Sequence, residues 1–545
     1  MGIFANPLTD LLEYEDFSRD FLKGTDPVGM TGCIDSEKVH FMSTFLGEKK
    51  VQLVVTYNEQ RAREIEEDYK LFCSQVYVIP PRDLIFFSAD LQGNAIIAER
   101  MKAFAALYQN EAKVIITTMD ALMSAAVPFE QLMSHVIKLK EGDELDLEKL
   151  KHDLTVMGYE RVGRVEEPGQ FTVHGGIADV YPLTMEVPVR IELWGDEIDT
   201  IRCFEPQSQR SMDQIECVSV FPAAEVIADD TARRRAVGMI QNELESQLAV
   251  FKKVKEPDKA KRLREETNRI LEALGEDVVL EAPDSYISYF YPRTVQLSEY
   301  FDEKNTLVFL DEPMRLKERG DGVQAEFEES MKNRLEQGFL LPGQTALLTP
   351  AKHVLAAFER GQVAALSSLD SRLADFTVVN SYAVNVQNMN TYREGFELLI
   401  KDLTHWKKEK YRIVLLCPSR TRANRIVNQL IEYDLLAYYS EDEDKKINPG
   451  EIMVTYGNLH RGFLYPMLKF AVITESDIFG VKKKKKEKKS HYQGQRISDF
   501  AQLKPGDYVV HENYGLGIYR GTERQIVDKV TKDYIKIEYG DGGKL

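Results

Sequence analysis

Between Phe171 and Arg210 the chain reads FTVHGGIADVYPLTMEVPVRIELWGDEIDTIRCFEPQSQR, a series of short alternating runs broken by glycine turns. Val189, Ile191 and Leu193 take one face of a period-two strand, so Arg190, Glu192 and Trp194 share the other. The pattern therefore sets an indole among charged side chains. Burying such a ring is worth roughly 1.5–3 kcal/mol or more. A Trp kept off the core beside an Arg is thus expected as a docking anchor, or as a ring covered by a neighbouring domain.

From about Val51 to Val127, apolar runs (VQLVVTY, QVYVI, KVIITT) alternate with amphipathic helices such as Ala95–Tyr108, which predicts a parallel α/β sheet. Around Met133–Lys140 the pattern changes to paired strands, with turns at Glu167–Gly169, Gly175–Gly176 and Gly195–Asp196, and this continues to Phe221. A β-rich unit is inserted there. Ala232–Leu274 has a helical period, and the many charges of Pro257–Leu274 read as a solvated face. Thr306–Pro313 (TLVFLDEP) is an apolar strand ending in two acids. A further α/β unit is expected from Val363 to Phe479, with strands in RIVLLCPS, IMVTYG and FAVITESDIF and a helix over Thr421–Tyr433.

Lys482–Lys489 (KKKKKEKK) is too densely charged to fold and reads as an exposed linker, or as a basic touch on nucleic acid. After it, short strands and glycine turns suggest a small SH3/Tudor-like β-barrel. The expected fold class is multidomain α/β: a degenerate P-loop-type parallel sheet with an inserted α+β domain, a further α/β domain and the C-terminal barrel. The expected bounds are 1–132 and 223–362 for the nucleotide-fold domain, 133–222 for the insert, 363–480 for the third domain, 481–497 for the linker and 498–545 for the barrel.

Composition narrows the function. A chain of 545 residues, 43% of them hydrophobic, has room for roughly three to five ordinary domains. A formal charge of −18 opposes loose attraction to phosphate backbones, which favours protein partners. Cys33, Cys73, Cys203, Cys217 and Cys417 form no CxxC pair and no metal-ligand spacing with the nine histidines. They read as buried apolar residues in a reducing compartment, with no metal expected. The acidic N-terminus is no signal peptide and no run approaches eighteen apolar residues, so a soluble cytoplasmic protein with no membrane contact is expected.

Gly29–Ser36 (GMTGCIDS) stands where a phosphate loop would open the first α/β layer. A working GxxxxGK[ST] loop needs its second Gly for close backbone approach and its Lys for the terminal phosphates. Here those positions hold Ile34 and Asp35, and a carboxylate repels polyphosphate. Starting at Gly32 recovers Lys38, but puts Glu37 at the glycine and Val39 where the metal-binding hydroxyl belongs. Gly29, Thr31, Gly32, Asp35 and Ser36, with Asp311 and Glu312 in a Walker-B-like position, are expected to form a vestigial nucleotide site that has lost its cation. No GxSxG or HExxH is present, and no catalytic residue is expected.

The broken loop, the insert and the DEP strand together resemble the excinuclease-B homology module of the bacterial transcription-repair coupling factors. LHRGFLYPMLKFAVITESDIFG (Leu459–Gly480) is similar to the end of that family's third domain, and LKPGDYVVHENYGLGIYRG…KDYIKIEYGDGGKL (Leu503–Leu545) to its RNA-polymerase-interacting domain. The resemblance implies that the barrel grips the β subunit of RNA polymerase. It implies also that the insert recruits excinuclease A, on the surface that excinuclease B uses.

The matching excinuclease-facing positions are His174, Arg190 and Trp194, with His174 standing where the family carries Arg and Trp194 where it carries Phe. The polymerase-facing edge is implied at Thr522, Arg524, Gln525, Ile526 and Val527, where Gln525 replaces an expected apolar residue. The family continues into two motor domains that use ATP and Mg²⁺ to walk on double-stranded DNA, and then into a domain covering the excinuclease face. The sequence ends before them. The expectation is an adaptor with no cofactor of its own, an open excinuclease face and at most weak contact with duplex DNA. Two rivals remain: an excinuclease-B-like or helicase-like ATPase binding damaged DNA, and a transcription regulator using only the barrel. Asp35, the missing second motor half and the lack of an aromatic-rich hairpin after Phe86 weigh against the ATPase.

Overall fold

The computed structural model describes residues 5–48, 51–82, 94–275, 283–370, 376–392, 395–442, 445–479, 508–511, 515–527 and 530–539. They fall in two compact units, Met1–Val481 and Lys482–Leu545. The expected linker 481–497 and the segment following Phe86 lie outside the described residues.

The first unit is built on a seven-stranded sheet in the order Asn380–Ala383, Val28–Thr31, Val363–Ser367, Thr306–Asp311, Val51–Thr56, Val114–Thr118, Val76–Ile79. Every neighbouring pair is parallel. Strands such as Val114–Thr118 are buried along their whole length, as helices on both faces of a parallel sheet require. The crossover helix Glu59–Tyr69 starts where the Asn58 side chain accepts from the Arg61 amide, and the helix Asn94–Tyr108 follows Val76–Ile79.

One expected boundary is corrected. Val363–Ser367, expected to open the third domain, lies inside the first sheet between Val28–Thr31 and Thr306–Asp311. All five of its residues are buried. A VAALS run has no polar face to show to water, so it belongs in a sheet centre covered on both sides. Asn380–Ala383 joins the same sheet, and the next α/β sheet begins at Gln387.

The insert is zipped at its base, where Ile137–Lys140 and Cys217–Val220 pair antiparallel. Above the base, six strands run in the order Ser211–Gln214, Glu197–Phe204, Val189–Trp194, Ile177–Val180, Gln170–His174, Glu160–Arg161. Phe171, Val173, Ala178, Val180, Val189, Ile191, Ile198 and Ile201 form the buried face, in one cluster with Leu150 and Leu154 of the helix Leu147–Val156.

The charged segment after the insert forms two helices, Asp230–Lys253 and Pro257–Gly275. In the second, Leu263, Thr267, Ile270 and Leu274 are buried and most of the charges face water, as expected. The further α/β sheet has the order Gln387–Asn388, Phe463–Tyr465, Phe470–Thr474, Arg412–Cys417, Ile452–Tyr456, Ala437–Tyr439. Its helix Arg420–Glu432 begins where Ser419 accepts from the Arg422 amide.

The described residues of the second unit form a three-stranded antiparallel sheet: Tyr508–His511, Gly515–Val527 and Val530–Tyr539. All five cysteines are free. Cys33 and Cys417 are buried as expected, whereas Cys217 is exposed, since it sits opposite the exposed Lys140 on the outer side of the two-stranded base. No described helix is long and apolar enough to cross a membrane.

Candidate functional site

The Gly175–Gly176 turn, with Gly175 at φ 61°, sets His174 opposite Ile177. Ile177 lies opposite Glu192, and Glu192 opposite Thr200. Residues paired across strands share a face, so this row points away from the core row Val173, Ala178, Ile191 and Ile201. Beyond a register shift between Glu192 and Leu193, Trp194 closes its strand opposite Glu197. The Leu193 amide donates to the Gly176 carbonyl at 2.9 Å, which holds Trp194 beside the glycine turn. The indole is 83% exposed, and Ile177, at 39%, is exposed as well. Nothing in the described residues covers the ring.

Arg190 lies on the same face, one row further from the turn, and it is not free. Its Nε and Nη2 donate to Asp179 Oδ1 and Oδ2 at 2.8 and 2.7 Å, and its guanidinium sits 4.8 Å from the centre of the Phe204 ring. The hydrogen bond to Asp179 raises the Arg190 pKa further. The structure therefore gathers His174 and Trp194 at one end of the sheet, with Ile177 between them, and holds Arg190 apart in a side-on pair. Ile177 and Asp179 were missed from the sequence. The glycine turn could have paired Ile177 with His174, but the register that brings Asp179 to Arg190 runs through the irregular stretch 181–188.

Thr522, Arg524, Gln525, Ile526 and Val527 occupy the last part of the strand Gly515–Val527, opposite Ile535, Asp533, Lys532, Thr531 and Val530. The strand Tyr508–His511 pairs only with Gly515–Ile518. The other side of Thr522–Val527 thus has no strand partner among the described residues.

The phosphate-loop residues lie where the strand Val28–Thr31 meets the helix Asp35–Ser43. Gly29 packs against Val378 and Ser381, and Thr31 Oγ1 donates to the Tyr382 carbonyl at 3.2 Å. Gly32, at φ 83°, has no room for a side chain, since a Cβ would stand 2.0 Å from the Val384 carbonyl oxygen. Asp35 is half exposed at the helix start, 3.9 Å from Arg461 Nε. Ser36 Oγ accepts from the Arg461 amide at 2.9 Å.

The expected loss of the cation is corrected. Lys38, one turn into the helix, is buried with its Nζ 2.6 Å from Asp311 Oδ1 and 2.7 Å from Glu312 Oε1. Asp311 also accepts from Thr56 Oγ1 at 2.8 Å and from Arg61 Nε at 3.4 Å. Burial acts to raise the Asp311 pKa, but Lys38 and Arg61 outweigh it and hold the carboxyl down to about 2. Burial likewise disfavours the Lys38 ammonium, and the two carboxylates keep its pKa raised. Two cations thus face two acids inside the protein. With the Ile34 amide donating to Glu37 Oε2 at 3.1 Å, the turn presents no free ammonium to a triphosphate.

This cluster is tied to the second α/β sheet. Tyr465 donates to Glu37 Oε1 at 2.7 Å and lies 3.0 Å from His40 Nδ1, while the His460 amide donates to Asp68 Oδ1 at 2.5 Å. Burial pushes both Glu37 and Asp68 up to about 7.

Fold and site define a multidomain α/β protein whose insert shows an open sheet face with an exposed indole. Residues 137–225 match the family model of the UvrB interaction domain, residues 405–478 that of the MFD, D3 domain, and residues 503–545 that of the CarD-like/TRCF RID domain. The chain is 29% identical over 547 residues to the transcription-repair-coupling factor of Bacillus subtilis, covering 99% of this chain and 46% of that protein. It is 28% identical over 545 residues to that of Staphylococcus epidermidis (99% and 45%), and 29% over 541 residues to that of Staphylococcus haemolyticus (95% and 44%). It therefore spans a little under half the length of these relatives. Three segments of the chain thus match domain models of this kind, and the relatives named are transcription-repair-coupling factors.

Proposed function

We propose that this chain is an adaptor of transcription-coupled nucleotide excision repair. The outer face of the insert recruits excinuclease A, and the C-terminal sheet binds the β subunit of RNA polymerase through the edge Thr522–Val527. The observation that carries this reading is Trp194, 83% exposed on a sheet face within the segment that matches the UvrB interaction domain. An exposed Trp with an aliphatic neighbour and a charged surround is the composition of an interface hot spot. The imidazole of His174 offers a shorter and weaker donor than a guanidinium would, so Trp194 and Ile177 carry more of the contact.

In this reading the phosphate-loop cluster is structural. Its ammonium neutralises Asp311 and Glu312 and has no phosphate to bind, so this part of the protein neither holds nor hydrolyses ATP. Calorimetric titration with purified excinuclease A tests the proposal. Trp194→Ala is expected to weaken the complex by roughly 2–4 kcal/mol, and an unchanged dissociation constant removes the assignment.

A further inference from the structure

We infer that the joint between the helices Asp230–Lys253 and Pro257–Gly275 is a binding site for the phosphate backbone of duplex nucleic acid. From Lys252 to Arg264 there are seven Lys or Arg residues (Lys252, Lys253, Lys255, Lys259, Lys261, Arg262 and Arg264) and only two acids, Glu256 and Asp258, a local charge of +5 in a chain of −18. Against that overall charge, only a concentrated local patch can draw in a polyanion.

The helices hold these cations in a fixed array. Leu263 and Phe251 are buried beneath the joint, and an open groove between the helices is edged by Lys252 and Lys255 on one side and by Lys261 and Arg264 on the other. Lys259 is 3.5 Å from Glu256 and Lys261 is 3.8 Å from Glu265. Lys252, Lys253, Lys255 and Arg264 are exposed and make no ion pair among the described residues. The end of the first helix favours Lys252 and Lys253 through its dipole. It accounts for neither Lys255, which lies beyond the helix at φ 59°, nor Arg264.

The composition also selects the ligand. Protein interfaces are poor in Lys and rest on exposed Trp, Tyr or Arg anchors, whereas this groove sets three lysines and Arg264 against two acids, Glu256 and Glu265, over an apolar floor with no exposed aromatic ring. Single strands are held largely by stacking on aromatic faces. Phe339, which is exposed, has the Arg262 guanidinium 4.6 Å over its ring. Lysine point charges with no stacking platform suit the closely spaced phosphates of a duplex, read without regard to sequence.

Fluorescence anisotropy with a labelled duplex of about 25 base pairs, titrated with the full 545-residue chain at several salt concentrations, tests this. Binding on the order of 10⁻⁵ M, falling steeply as salt rises, is expected. The exposed triple variant K252E/K255E/R264E should keep the wild-type melting temperature, weaken binding roughly tenfold or more, and flatten the salt dependence by about two to three charges. Unaltered duplex affinity in that variant overturns the proposal, as does binding that vanishes only when Lys482–Lys486 are replaced by Ala. If polyglutamate binds as tightly as the duplex, charge for charge, the patch belongs to an acidic polypeptide instead. The Trp194 interface is separate, so capture of excinuclease A should be the same in wild type and triple variant.

Discussion

Lys38 and Asp311 are 273 positions apart in sequence, and their charged atoms lie 2.6 Å apart in a buried site. Breaking a buried pair leaves an uncompensated charge, which costs more than the pair itself contributes. Lys38→Met is therefore expected to destabilise the first unit by about 3–5 kcal/mol, read as a lower urea midpoint. Lys38→Met combined with Asp311→Asn should recover part of that loss. The same engagement predicts that saturating Mg²⁺ and ATP leave the wild-type melting temperature unchanged, because a ligand raises it only by binding the folded state.

Glu37 and Asp68 predict an unusual pH dependence. Unfolded, they titrate near 4.5 and 3.8, and burial raises both to about 7 in the fold. Across that window the folded state binds more protons than the unfolded one, so stability falls as pH rises from about 4 through about 7. Each group contributes on the order of 3–4 kcal/mol to the fall. Thermal melts at pH 6 and pH 8 should show the lower midpoint at pH 8, and the Glu37→Gln and Asp68→Asn variants should each narrow the gap. Asp311 has the opposite sign. Its contribution is complete above pH 3.8 and is lost only as pH falls toward 2.

Arg190 and Trp194 should separate in a mutational comparison. Arg190 is held by Asp179 within its own sheet, so Arg190→Ala is expected to lower the stability of the insert by about 1–2 kcal/mol and to weaken excinuclease A binding less than Trp194→Ala does. Trp194→Ala removes a mostly exposed ring and should leave the melt unchanged. Equal binding losses from the two variants, with equal melts, would contradict this division.

Because Lys482–Leu545 is a compact unit of its own, deleting residues 498–545 should abolish capture of the β subunit of RNA polymerase and leave capture of excinuclease A intact. If the shortened chain captures neither partner, the two-surface account fails.

Local periodicity determined much of this protein. The alternation through Val189, Ile191 and Leu193 put Trp194 on the outer face, and runs such as VIITT became fully buried strands. The glycine pair Gly175–Gly176 fixed the turn that carries His174. Such features follow from side-chain spacing along one strand or helix, which neighbouring residues specify.

Tertiary structure alone decided the rest. It placed Val363–Ser367 in the first sheet, paired Arg190 with Asp179, and turned Lys38 toward the end of the strand Thr306–Asp311. The spacing Gly32 to Lys38 is that of a phosphate loop, but Glu37 and Val39 stand where its second glycine and its hydroxyl belong, and so a lost cation is expected from the sequence. One turn of helix carries Lys38 back to the acids all the same. Strand order and ion pairs depend on which segments pack together, and the energy that selects them comes from burial and charge compensation between residues that are 11 positions apart in Arg190 and Asp179 and 273 apart in Lys38 and Asp311.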